Sequence, residues 1–245
     1  MIEQQIDIPT KDGRITTFIA HPERDGPFPV ILFYMDAPAI REELRDMARR
    51  LGTSGYYVML PNLYYRSGVM ELGALALAEG DVRKKMFELM ESLTIARIME
   101  DTEVLLAFAG SQASADTSRV GAVGYCMSGQ YALSAAAHFP DQVNAAASIY
   151  GVRLVTDASD SPHLSAAKAK GELYVGCAET DHWAPPEMVE ALTKALADLP
   201  VEAEVEVYPG VDHGFAFPQR AVYNNAAAER HWERLLALFG RRLSA

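Results

Sequence analysis

The sequence predicts an α/β protein with a mostly parallel central sheet and helices on both faces. Three observations carry this. Short apolar runs alternate with segments of ten or more residues at helical spacing. The run Pro29–Met35 (PVILFYM) is apolar throughout, as a strand buried on both faces must be. At 120–130 an apolar strand passes through small residues straight into a helix.

The elements follow in order. Glu3–Ile8 and Arg14–Ala20 read as strands of a hairpin around Thr10-Lys11-Asp12-Gly13. Pro29–Met35 is the first buried strand. Ile40–Leu51 is a helix with Leu44, Met47, Ala48 and Leu51 on one face. Tyr56–Leu60 is a strand, and Asp81–Leu93 and Thr94–Ala109 are helical. The stretch 67–80 reads as an irregular insertion. Val120–Tyr125, Ala145–Tyr150, Leu173–Cys177 and Ala203–Tyr208 are strands. Helices are expected at Ser128–His138, Pro186–Ala197 and Ala221–Leu243. The length, 245 residues, suits a single domain over 1–245 that folds without disulfides or metal.

With 22 basic and 33 acidic residues the net charge is −11, which disfavours nucleic acid and anionic membranes as partners. Two cysteines, Cys126 and Cys177, are too few for a disulfide framework or a cysteine-only zinc site. The N-terminus lacks a basic segment followed by an apolar core, and no run reaches the ~20 apolar residues of a membrane span. A cytoplasmic protein is expected, with no oligomeric state implied.

Parallel sheets bind ligands at the carboxyl ends of their strands, so chemistry is sought just after each strand. After the strand at 120–125 comes Gly124-Tyr125-Cys126-Met127-Ser128-Gly129. This is the pattern of a nucleophile elbow, a sharp strand-to-helix turn that presents its central side chain above the sheet. Cys126 is the candidate nucleophile. The helix N-terminus favours its thiolate, and the Met127 N–H would form half of an oxyanion hole. A buried structural cysteine is the ordinary alternative. A register centred on Ser128 fails, because Cys126 and Gln130 would be bulky flanks.

A nucleophile of this kind is followed by an acid and then a histidine. Asp181 follows the strand ending at Cys177, with Glu179 the weaker acid candidate. His213 follows the strand ending at Tyr208, in the loop Gly210-Val211-Asp212-His213-Gly214. Of the six histidines it alone occupies a glycine-flanked loop after a late strand. His138 and His231 fall within helices as surface or packing residues, and His182 borders Asp181. The roles are proton acceptor from Cys126 for His213 and orienting carboxylate for Asp181.

The constellation resembles the dienelactone hydrolase family of the α/β-hydrolase fold over nearly the whole chain. Its markers are PVILFYMDA at 29–37, LPNLYYR at 60–66, GYCMSG at 124–129, Asp181 followed by Pro185, and DHGFAF at 212–217. The resemblance implies hydrolysis of an ester or lactone through a Cys126–His213–Asp181 triad and a thioester acyl-enzyme, with no metal or cofactor. It also implies a carboxylate near the thiol, here Asp36 where Glu is usual, and the Ala37 N–H as second oxyanion donor. Family members that take a carboxylated lactone use two arginines. Arg83 matches one, while Phe217 stands at the other. Tyr64, Tyr150, Trp183 and Phe217 become candidate pocket walls, with core packing as the alternative. Arg66 is expected at the surface or anchoring a loop, with a place facing the site as the alternative. The loss of half the carboxylate clamp predicts a preference for neutral substrates. The rival function is a non-catalytic binding or regulatory protein on a hydrolase scaffold; no peptide groove is indicated.

Overall fold

The computed structural model describes residues 1–73 and 79–244. Residues 74–78 of the expected insertion lie outside the described residues. Two units are distinguished, Met1–Ser118 and Arg119–Ala245.

In the first unit, β1 (Ile2–Thr10) and β2 (Gly13–His21) form the expected antiparallel hairpin, closed with Thr10 opposite Gly13. The Thr10 hydroxyl accepts the Asp12 N–H at 3.1 Å, which fixes the two-residue turn. β3 (Phe28–Tyr34) runs parallel to β4 (Tyr57–Pro61), and β4 runs antiparallel to β2. The strand order within this unit is therefore β1-β2-β4-β3. Val30 to Tyr34 have no exposed surface, as the uniformly apolar run requires. α1 (Glu42–Thr53) buries Leu44, Met47, Ala48 and Leu51, the predicted face. α2 covers Asp81–Glu91 and α3 covers Ile95–Gly110, where Thr94 accepts the Arg97 N–H as N-cap. A short turn at Tyr65–Ser67 carries Arg66, whose guanidinium grips Asp101 at 2.7 and 2.8 Å and Asp12 at 2.8 Å. Arg66 is the loop anchor expected of it.

In the second unit, β5 (Ala115–Tyr125), β6 (Val143–Ile149), β7 (Glu172–Thr180) and β8 (Ala203–Asp212) follow in that order with parallel neighbours. α4 (Gly129–His138) follows β5 through one tight turn, Cys126–Ser128. The short α5 (Pro162–Ser165) and α6 (Pro186–Ala197) precede and follow β7. α7 covers Asn225–Leu243. It starts four residues later than its apolar spacing suggested. Asn224, in extended conformation, caps it by accepting the Ala227 N–H, so Ala221–Asn224 stay outside. β5 starts five residues earlier than expected, since polar Ala115–Arg119 lack the apolar signal of its buried end.

Candidate active site

Cys126 adopts φ +55°, a left-handed conformation that a residue with a Cβ seldom takes. The turn is possible because Gly124, two residues before Cys126, and Gly129, three residues after it, lack side chains. A Cβ on Gly124 would lie 2.0 Å from the Ser128 carbonyl oxygen, and one on Gly129 would lie 2.5 Å from Gly151 Cα. The glycine that matters after the turn is thus Gly129, while Ser128 is buried beside it. The Val152 N–H donates to the Cys126 carbonyl at 3.1 Å and braces the turn from the chain after β6. Cys126 retains exposed surface, whereas Cys177 is 2% exposed in β7.

His213 follows β8 directly, with its N–H donating to the Thr180 carbonyl. Its Nδ1 donates to Asp181 Oδ2 at 2.7 Å. The other oxygen of Asp181 accepts the N–H groups of Trp183 at 2.8 Å and Ala184 at 3.1 Å, so the carboxylate is held from both sides. Glu179 turns elsewhere and accepts the Gly210 N–H at 2.7 Å. The carboxylate that meets His213 is Asp181. The buried Nε2 of His213 has no partner at full hydrogen-bond geometry among the described residues, and Cys126 interacts electrostatically with the ring. Burial opposes a charge on this ring. Its interaction with Cys126 and the hydrogen bond to Asp181 outweigh it and push the His213 pKa up to about 10. The Tyr150 ring stands edge-on to the imidazole, with centroids 5.0 Å apart.

The remaining expected residues occupy varied places. Met127 follows Cys126 in the turn and is fully buried. Phe217 has no exposed surface; its ring packs against Tyr125 and Tyr150 at 5.3 and 6.0 Å. Trp183 is 47% exposed, its ring edge-on to His182. Arg220 escaped the sequence reading. Its guanidinium carbon lies 4.9 Å from the Phe217 ring centre, so the apolar position carries a cation over it. Gly214, beside His213, leaves the space that Arg220 fills, since a Cβ there would lie 2.9 Å from its guanidinium. Nothing in local periodicity could have marked Arg220.

Within the first unit, Asp36 is fully buried after β3, and both its oxygens accept from Arg41, at 2.6 and 3.2 Å. Arg41 also grips Glu43 at 2.7 Å. The charge expected near a thiol is therefore paired within its own loop. Ala39 at φ +71° turns that loop, and the Tyr64 hydroxyl donates to the Ala37 carbonyl at 2.9 Å. Tyr64 is 1% exposed and supports the Ala37 loop from beneath. Arg83 on α2 lies over the Phe87 ring, 5.8 Å from its centre.

Among the described residues no group of three or more His, Cys, Asp or Glu side chains could hold a metal ion, and no helix is long and apolar enough to cross a membrane.

The parallel sheet and the left-handed residue between β5 and α4 define an α/β-hydrolase. The sequence pattern of the dienelactone hydrolase family matches residues 15–243, and the chain belongs to that family of hydrolases. Similar proteins include a "Putative carboxymethylenebutenolidase" of Escherichia coli, 31% identical over 95% of this chain and 84% of the relative. Another of that name from Methylorubrum extorquens is 30% identical over 96% of this chain and 79% of its own length. The crystal structure of a "Putative Dienelactone Hydrolase" from Klebsiella pneumoniae superposes with a TM-score of 0.85 at 27% identity, covering 98% of both chains.

Proposed function

We propose that this protein hydrolyses an ester or lactone with Cys126 as nucleophile, His213 as general base and acid, and Asp181 as orienting carboxylate. The observation that carries the proposal is the Asp181–His213 hydrogen bond of 2.7 Å, with the second imidazole nitrogen under the influence of a cysteine at φ +55°. The thiol proton passes to His213 before the attack, so Cys126 Sγ meets the substrate carbonyl carbon as a thiolate. The Met127 N–H stabilises the oxyanion that forms. The carbon–oxygen bond to the leaving group then breaks, and His213 returns its proton to that oxygen. In a lactone the leaving alcohol stays tethered to the acyl group. Water, deprotonated by His213, attacks the thioester, and the sulfur leaves as thiolate. Asp181 keeps Nδ1 protonated and Nε2 aimed at the reacting atoms.

The test is turnover of p-nitrophenyl acetate and of a panel of lactones, before and after alkylation of Cys126. Turnover that vanishes on alkylation supports the proposal. A folded wild type that cleaves none of them would make the non-catalytic scaffold the better description. A matched pair of neutral and carboxylated lactones in the panel reads the charge preference, with Arg220 now the cation set against Phe217.

A further inference from the structure

His213 is not the only imidazole held within the second unit. His231, on α7, has no exposed surface, and its ring stands among Tyr125, Phe215 and Trp232. Its Nδ1 faces the Ala228 carbonyl one turn earlier. A carbonyl only accepts, so Nδ1 carries the proton. In the uncharged ring Nε2 is then the acceptor, and it lies 2.9 Å from the Tyr125 hydroxyl. Tyr125 is 1% exposed, so a histidine and a tyrosine are paired inside the core.

Tyr125 is the residue peptide-bonded to Cys126. A left-handed Cys126 persists only if its surroundings over-determine it, and the Tyr125 side chain is one of the constraints. The same ring touches Tyr150, at 5.9 Å between centroids, and Tyr150 in turn stands against His213 at 5.0 Å. One hydroxyl therefore sets the depth of a ring that adjoins the nucleophile through the backbone and the imidazole through Tyr150. Apolar packing would bury a phenylalanine at 125 equally well but would leave that depth to slide. We propose that Tyr125 and His231 form a positioning pair that fixes the relative placement of the Cys126 thiol and the His213 imidazole. This rests on the Cys126–His213 chemistry proposed above.

The experiment compares Tyr125→Phe, His231→Phe, His231→Gln and the double Phe variant on the full chain. kcat and KM for p-nitrophenyl acetate are measured, with the rate of Cys126 alkylation by iodoacetamide. The pair predicts that Tyr125→Phe lowers kcat and the alkylation rate together by about tenfold, with KM within about twofold, because geometry rather than binding is lost. His231→Gln, which keeps an acceptor, restores most of the loss. The double variant is no slower than the worse single one, because both remove the same hydrogen bond. A Tyr125→Phe protein with wild-type kcat and alkylation rate, whatever its melting temperature, overturns the proposal, as do losses that add in the double variant. If His231→Phe does not fold, Tyr125→Phe, which deletes one oxygen, decides alone. Cys126→Ala serves as the control. Retained turnover there sinks the Cys126 chemistry and the positioning pair with it, whereas a dead Cys126→Ala beside a fully active Tyr125→Phe sinks the pair only.

Discussion

A thiol reacts as its thiolate, so the surroundings of each cysteine decide its reactivity. Burial, with a smaller effect of the Asp181 charge, pushes the Cys177 thiol up to about 12. Cys126 is accessible, and its interaction with the His213 imidazole raises the pKa of that ring. Brief iodoacetamide treatment should label Cys126 before Cys177, as read by peptide mass spectrometry; the reverse order would remove Cys126 as nucleophile. Asp181→Asn turns an amide N–H toward His213 Nδ1, where a carboxylate oxygen accepted. It should lower kcat about a hundredfold, less than the ~10⁴ of a serine-protease triad, because a thiol is the more acidic nucleophile. Glu179→Gln, at a carboxylate that accepts the Gly210 N–H, should leave kcat within about threefold. The imidazole itself offers a direct check. Two partners hold its proton past the ordinary range near 6.5, so loss of either should bring its NMR titration midpoint down in Asp181→Asn and in Cys126→Ala. A midpoint near 6.5 in the wild type would contradict the charge arrangement at this site.

At the scale of the element, the turn from β5 into α4 is tightly constrained, whereas Gly240 near the end of α7 has open space around it. Gly124→Ala drives a Cβ to 2.0 Å from a backbone oxygen that has no rotamer to escape by. The expected cost is about 3 kcal/mol or more, seen as a lowered urea midpoint or loss of soluble protein. Gly240 is an exposed position in α7, and a Cβ there meets nothing within 4 Å. Gly240→Ala should therefore stabilise by about 1 kcal/mol, through helix propensity alone. Asn224→Ala removes the side chain that accepts the Ala227 N–H and should cost about 1 kcal/mol. Urea midpoints of the three variants order them: Gly240→Ala above wild type, Asn224→Ala below it, Gly124→Ala lowest.

Across the whole molecule, a net charge of −11 places many carboxylates near one another, and stability depends on pairing the buried ones. Glu172 opens β7 with its side chain 7% exposed, held by Arg241 and Arg242 of α7. Burial resists its charge, but the two guanidinium groups overcome that and lower its pKa below 4.5. A depressed carboxylate stabilises the fold above its unfolded pKa and loses that contribution as the pH falls through the folded value. Glu172→Gln should thus cost about 1 kcal/mol at pH 7, a modest figure because Arg241 and Arg242 are 54% and 38% exposed. The gap in urea midpoint between wild type and variant should narrow at pH 3. A gap that is constant with pH would mean that Glu172 acts through packing rather than charge.

What the sequence by itself determined is what local rules govern. The alternation of apolar runs and helical spacing located the strands and helices, because periodicity depends only on which face a residue presents. Gly124 and Gly129 around Cys126 announced the turn, because the close approach of strand, turn and helix leaves no room for a side chain at those two positions. Chain order then pointed to Asp181 and His213. The tertiary structure decided everything that depends on where a side chain points. It turned Glu179 to the Gly210 N–H and Asp181 to His213, two residues apart on one strand end but facing different partners. It tied Asp36 to Arg41 within one loop, buried Phe217 and laid Arg220 over it. It also joined Tyr125 to His231 across 106 positions, a pairing invisible to any window of sequence. The reason is physical: burial and hydrogen bonding are properties of neighbours in space, and a helix residue such as His231 acquires its neighbours only when α7 closes on the sheet end.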